Sequence, residues 1–381
     1  MTVIETEPSF IPVQTRSERP KSTIRDDFAA LTGREAAFKY TPVAELSALS
    51  DGPLDGAPLP IRVSGDAVGF AASLIERTDE RIGGAGLPED RLSAAAWQAF
   101  DKAQLLSITG EDAQTVTVVR DSAGAAPRAA HTVIEVAPNA RATLVIENSG
   151  DAQLTENVEV LVGDGAHLTL VTVQQWADSA RHVASHFVRA GRDATITHIV
   201  VTLGGALVRL NPSAHLVGDG SSAQLLGAYF ADAGQHLEHQ VYVFHEGPHT
   251  TSRVTYKGAL QGKDAHTVWI GDVLIGPKAV GTDSYEQNRN LVLTEGARAD
   301  SVPNLEIETG DIIGAGHASA TGRFDDEQLF YLESRGIPEE EARRLVVRGF
   351  LAEIVQQIGV PELEERLTSA IEAELSEASV A

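Results

Sequence analysis

Gly163-Asp-Gly-Ala-His-Leu-Thr-Leu-Val171 and Gly191-Arg-Asp-Ala-Thr-Ile-Thr-His-Ile199 share one plan: a tight turn, a small residue, then alternating polar and apolar positions. The same plan occurs at Pro138–Ile146, Gly218–Leu226 and Gly262–Ile270. Aligned on Ala140, Ala166, Ala194, Ala223 and Ala265, the fragments are spaced by 26, 28, 29 and 42 residues. A turn-plus-strand unit at this period is the signature of a solenoid, because one coil cannot bury its apolar face alone and must stack on its neighbours. A twisted antiparallel sandwich gives a similar texture when turns fall every 8–12 residues. Recurrence at full-coil distance favours a parallel β-helix, with the spacing of 42 marking an inserted loop around the His-rich stretch 234–250.

Outward from this core the texture changes on both sides. Residues 1–22 are polar, charged and Pro-interrupted, the composition of a flexible tail. Residues 23–104 read as an N-terminal helical region, with helices expected over Ile24–Tyr40 and Pro88–Ala103. The β-helix is expected over 105–318. A C-terminal helical domain follows over 319–381, opened by an Asp325/Gln328 capping box and punctuated by Gly336 and Pro338. Its apolar stripe, which includes Leu345, Phe350 and Ile354, has helical spacing, and Glu339/Arg343 and Glu340/Arg344 form i,i+4 pairs. The fold class is therefore mainly β: a parallel β-helix flanked by α-helical regions.

Composition narrows the function. The chain of 381 residues has 30 Lys+Arg against 54 Asp+Glu, a formal charge of −24, and lacks the basic clusters that track phosphates, so nucleic acid is not an expected partner. The acidic, Pro-broken N-terminus is unlike a signal peptide, and the most apolar window, Ile196–Leu210, is too short and too interrupted to span a bilayer. No membrane association and a cytoplasmic location are expected. The absence of cysteine removes disulfides, thiol nucleophiles and any cluster held by this chain's own thiolates.

Catalytic signatures fail on inspection. His245-Glu-Gly-Pro-His249 has the H-E-x-x-H spacing, but Gly-Pro inside it forbids the helix that would place both imidazoles on one face. A metal-dependent β-fold enzyme using His236, His239, His245 and His249 is the alternative reading, since strands can converge imidazoles. Gly258–Lys263 is one residue short of a P-loop and lacks the following hydroxyl, and Gly314-Ala-Gly316 has no third glycine. A scaffold fits this sequence better than an enzyme.

The stretch Val302-Pro-Asn-Leu-Glu-Ile, the loop ending in His317, and Asp-Glu-Gln-Leu-Phe-Tyr-Leu-Glu-Ser-Arg-Gly336-Ile resemble the SufB/SufD family of iron–sulfur cluster assembly proteins. Phe38-Lys-Tyr-Thr-Pro42, His245 with Pro248-His-Thr-Thr-Ser252, and Thr282–Leu293 extend the resemblance over residues 35–358. It implies a right-handed parallel β-helix and a non-catalytic subunit that pairs with a SufB-like subunit through the end of the solenoid. It also implies docking of a SufC-like ATPase on the C-terminal helices. Many relatives carry a cysteine just before the loop histidine, where Ile313-Gly-Ala-Gly316 stands here. Sulfur ligands would then come from the SufB side, which makes the chain most like SufD. His317 matches a position linked to cluster assembly, either as an iron ligand or as a hydrogen-bonding group at the SufB contact. Phe330, Tyr331, Arg335 and Arg348 are the expected SufC-docking residues, and the Leu345/Phe350/Ile354 stripe is either domain core or part of that surface. The resemblance implies no cofactor bound tightly by this chain alone. It implies a transient iron–sulfur cluster with SufB and flavin somewhere in the complex, and the edge meant for SufB also allows a homodimer when the chain is isolated.

Overall fold

The computed structural model describes residues 19–65, 68–323 and 326–377. The first strands are β1 (Arg62–Gly65), β2 (Phe70–Glu76), β3 (Lys102–Ile108), β4 (Gln114–Arg120), β5 (Gly124–Val136) and β6 (Arg141–Gly150). Then come β7 (Ala152–Val162), β8 (His167–Trp176), β9 (Arg181–Ala190), β10 (Thr195–Thr202), β11 (Leu207–Leu216) and β12 (Ser222–Ala231). The last are β13 (His236–His245), β14 (Thr251–Leu260), β15 (His266–Ile275), β16 (Thr282–Val292), β17 (Arg298–Ile307) and β18 (Ile312–Arg323).

From β3 onward, successive strands alternate between two nine-stranded sheets, and each pairs in parallel with the strand two further on. This is a flattened β-solenoid of about eight turns, two strands to a coil. Alternation along each strand sends Leu144, Leu170, Leu225 and Val254 from one sheet to meet Leu154, Val208 and Leu237 from the other in a single lumen. At about 25 cal/mol per Å² of apolar surface buried, this shared lumen is the main stabilising term.

The corners explain the repeat. Asn139, Gly165, Asp193, Gly220, His249 and Gly281 all have φ between 53 and 70°. Each is followed by a fully buried small residue: Ala140, Ala166, Ala194, Ser221, Thr250 or Thr282. A left-handed residue reverses the chain, and only a small side chain fits inside the bend; Gly, Asn and Asp tolerate the conformation best. The corner column thus runs through Ser221, Thr250 and Thr282, whereas Ala223 lies within β12 and Ala265 turns a corner of the other sheet. The spacing of 42 is consequently one coil and a half, not an insertion. The His-rich stretch is β13 itself, in register with β11 and β15.

The expected helix over Ile24–Tyr40 reduces to 3-10 turns at Arg25–Asp27 and Ala36–Phe38. The Glu35 carboxylate accepts from the Thr32 and Gly33 backbone N–H groups, closing a turn where a helix would have continued. A short helix α1 spans Ser47–Ser50, and α2 spans Arg91–Ala99, capped by the Asp90 side chain. The same region contains β1 and β2, which run antiparallel to β4 and β3 and cover the first edges of both sheets. These two strands are largely exposed, so they carry no alternating apolar signature.

After β18 come α3 (Asp326–Ser334), α4 (Glu339–Val355) and α5 (Pro361–Glu377). Residues 1–18, and the Asp325/Gln328 capping box and the Glu340 partner of Arg344, lie outside what is described. Gly336, at φ 84°, ends α3. Val347, Leu351, Ile354, Leu367 and Ile371 pack on Val171, Val173, Ile199 and Val201 of the first sheet's outer face. Among the described residues, α4 and α5 therefore cover the side of the solenoid and not its C-terminal end. Among the described residues no strand follows β17 or β18 in either sheet, and no helix is long and apolar enough to cross a membrane.

Candidate functional site at the open end of the solenoid

The C-terminal mouth is built by the last two coils. One lumen ladder, read through the strand register, runs Leu144, Leu170, His198, Leu225, Val254, Glu286, His317. Its first rungs are core, and its last two are a carboxyl and an imidazole. His317 is 43% exposed, and its Nδ1 lies 3.8 Å from Glu286 Oε1, whose side chain is only 1% exposed.

Neither Glu286 oxygen has a hydrogen-bond partner. The nearby Asn304 backbone N–H partly offsets the burial. Desolvation, reinforced by the nearby charge of Asp272, pushes the Glu286 carboxyl up from 4.5 to about 8. The carboxyl fits there because Gly271, opposite, has no side chain: a Cβ at Gly271 would stand 2.3 Å from the Trp269 ring and 2.4 Å from Glu286 Oε2.

A few apolar side chains stand exposed around the mouth. Tyr285 and Ile307 are partly exposed and Ile313 is 78% exposed. Ile313 owes its exposure to a bulge, since Thr282 pairs with Ile312 while Asp283 pairs with Gly314. Gly316 lies against the Tyr285 ring. Among the described residues β17 and β18 are the last strands of their sheets, with no strand paired to their outer edges.

The second surface lies on the C-terminal helices. Phe330 and Tyr331 on α3 are 73% and 56% exposed, and the Arg335 guanidinium stacks over Tyr331 at 5.0 Å. Arg348 is on α4 and pairs with Glu372 of α5 at 2.9 Å, so its charge already serves the helix pair. Ile354 belongs to the packed interface with the solenoid, Leu345 is half-buried, and Phe350 sits beneath the Lys257 ammonium.

The four histidines of the alternative reading do not converge. His239 and His245 face the lumen, bonded to Thr202 and to Thr250 and Ser252, and burial lowers each to about 3. His249 is an exposed corner residue beside Asp219, and His236, on the same strand as His239 and His245, faces outward against Glu238. The H-E-x-x-H spacing is thus the product of a β-strand end and a left-handed corner. Gly258 is a strand residue whose side-chain space is filled by the Tyr229 ring, so no phosphate loop exists there. Among the described residues no three His, Asp or Glu side chains gather as a metal site.

Comparison with known proteins agrees with this architecture. The sequence model described as "SUF system FeS cluster assembly, SufBD core domain" matches residues 118–350. The chain belongs to the SufBD family. An iron–sulfur cluster assembly SufBD family protein of Mycobacterium tuberculosis (strain ATCC 25618 / H37Rv) is 49% identical over 361 residues, covering 92% of this chain and 90% of its own length. A SufBD family protein of Mycobacterium leprae (strain TN) is 48% identical, with 92% of each chain covered. A more distant SufBD family protein of Staphylococcus epidermidis (strain ATCC 12228 / FDA PCI 1200) is 29% identical over 201 residues, 53% of this chain and 43% of its own. The SufBD match begins in β4 and ends in α4, so it takes in His317, Glu286 and α3, while most of the N-terminal region lies outside it.

Sequence reasoning singled out His317 but missed Glu286. The signal was present in Tyr285-Glu-Gln-Asn-Arg-Asn290, where alternate positions Glu286, Asn288 and Asn290 face inward. Only the pairing of β16 with β18 shows that the first of these meets His317.

Proposed function

We propose that this SufBD protein is the SufD-type, non-catalytic scaffold of a cytoplasmic cluster assembly complex. In this reading it pairs with a SufB-like subunit through the uncovered edges of β17 and β18 and docks a SufC-like ATPase on the surface around Phe330, Tyr331 and Arg335. The iron–sulfur cluster is cargo, formed transiently with the SufB-like subunit, and flavin chemistry belongs to the assembled complex. The observation that carries the reading is a chain without cysteine whose uncovered solenoid end presents His317. Such an end supplies a shape and an imidazole, a borderline ligand suited to iron, while thiolate ligands and nucleotide hydrolysis come from companions. Edge strands of ten and twelve residues with an apolar rim support strand-to-strand pairing.

The test is reconstitution of the three-protein complex with His317→Ala. The expected outcome is normal assembly of the complex with impaired delivery of cluster to an apo-acceptor. Wild-type delivery by that variant removes His317 from the mechanism. A stable stoichiometric cluster on this chain alone, loaded with iron and sulfide, refutes the scaffold reading.

A further inference from the structure

A second histidine arrangement, sharing no residue with Glu286 and His317, lies on the outer face of the sheet that holds β13, β15 and β17. His236 and His266 open the neighbouring strands β13 and β15 and are register partners. His236 Nε2 lies 3.1 Å from Glu238 Oε2, and His266 Nε2 lies 2.7 Å from Asp300 Oδ2. The two Nδ1 atoms face each other at 3.2 Å.

Both carboxylates are ionic. Glu238 is also held by Arg209 and accepts from Thr41, and Asp300 is also held by Arg298. A carboxylate accepts and cannot donate, so each ring places a proton on Nε2. Two Nδ1 lone pairs then point at one another across 3.2 Å, an arrangement that repels unless a cation lies between them.

The geometry matches a metal. Two nitrogens bonded at 2.0–2.1 Å to one tetrahedral ion stand about 3.3 Å apart. A ligating imidazole typically donates its other N–H to a carboxylate, which fixes its tautomer and raises its basicity. Both rings here have that support already in place. The His236 side chain is 9% exposed and that of His266 is 22% exposed, so the pair is fixed in the protein yet reachable from solvent.

We propose that His236 and His266 bind one divalent first-row transition cation through their Nδ1 atoms, with solvent completing the coordination. Such a cation links two consecutive coils. Through Glu238 and Thr41 it also fastens the N-terminal segment, whose Ala37 carbonyl is held by Arg209 and Gln240. This site shares no residue with Glu286 and His317 and does not rest on the scaffold reading.

The experiment titrates the full-length protein with Zn(II) by calorimetry and with Co(II) by visible absorption. One equivalent per chain should bind with micromolar affinity and raise the melting temperature. His266→Asn should abolish saturable binding. Asp300→Asn, a change near the surface that carries the test if the first variant folds poorly, should weaken binding about 10- to 100-fold. His317→Asn should retain the equivalent bound at His236 and His266. Absence of saturable binding in the wild type would mean that a shared proton alone fills the gap, and would overturn the proposal. So would an unaltered isotherm in Asp300→Asn, or loss of binding in His317→Asn alone. None of these results bears on cluster delivery, which tests the scaffold reading separately.

Discussion

Replacing Glu286 by Gln keeps the shape of the last lumen rung but removes its proton. The folded protein holds that proton up to about pH 8, whereas an unfolded chain releases it near 4.5. A carboxyl whose folded value is raised contributes stability that is fully present below the unfolded value and is lost as pH rises toward the folded one. Each pH unit in that window is worth about 1.4 kcal/mol, so by pH 7 the wild type has given up on the order of 3 kcal/mol through this one side chain. Glutamine does not titrate, and its amide faces the same unpartnered surroundings as the protonated acid. The variant should therefore match the wild type near pH 5, exceed it by about 3 kcal/mol at pH 7, and differ by a constant amount above pH 8. Urea denaturation of both proteins at half-unit intervals from pH 5 to 9, compared through midpoints and slopes, measures the difference directly. Other carboxylates titrate in both proteins and cancel. Parallel stability curves would refute the reasoning, because they would mean that Glu286 ionises in the fold as readily as outside it.

Other perturbations have equally definite expectations. Gly271→Ala inserts a Cβ into space held by Trp269 and Glu286 and should cost about 1–3 kcal/mol, read as a lowered urea midpoint. Leu351→Ala or Leu367→Ala opens a cavity in the fully buried seam between α4, α5 and the first sheet, costing about 2–5 kcal/mol, measured in the same way. Phe330→Ala with Tyr331→Ala removes two exposed rings; the thermal midpoint should not move, while affinity for a SufC-like ATPase should fall at least tenfold in surface plasmon resonance. His249→Gly relaxes a left-handed corner at φ 53° but releases the exposed Asp219 contact, so stability should change by no more than about 1 kcal/mol.

The solenoid was legible because its physics is local and repeated. A left-handed residue followed by a buried small one marks each corner of one column, as in Gly165-Ala166 and Asp193-Ala194. What sequence left obscure was phase. Alanine fills corners of both sheets, so alignment on alanine places Ala265 with corners of the other ladder and omits the corner at Thr250. The helical expectation for 24–40 failed where Glu35 closes a turn on Thr32 and Gly33, a choice between side-chain and helical hydrogen bonds that apolar spacing does not register. His317 was legible from its motif. Glu286 was not, because its burial depends on a register between β16 and β18 that no single strand encodes. The imidazole pair of His236 and His266 is a cross-strand relation of the same kind.

The two ends of the solenoid are treated differently by the chain, and that difference carries functional weight. At the N-terminal end β1 and β2 reverse direction and satisfy the first strand of each sheet. At the other end the chain had helices available, with enough apolar surface to cover a mouth, yet α4 and α5 lie along the outer face against Val171, Val173 and Ile199. Deleting those helices to test ATPase docking would strip this face and confound docking with misfolding; point changes on α3 avoid the problem. An end left uncovered, apolar at Ile307 and Ile313, with a half-exposed imidazole over a carboxyl that lacks a hydrogen bond, is costly for an isolated chain. In the proposed pairing that cost would fall, because a second solenoid would cover the strand edges and supply donors to Glu286. Binding of a SufB-like subunit should accordingly lower the Glu286 value, and the pH dependence that distinguishes wild type from Glu286→Gln in the isolated chain should shrink in the complex. A difference that persists undiminished after assembly would place the partner elsewhere.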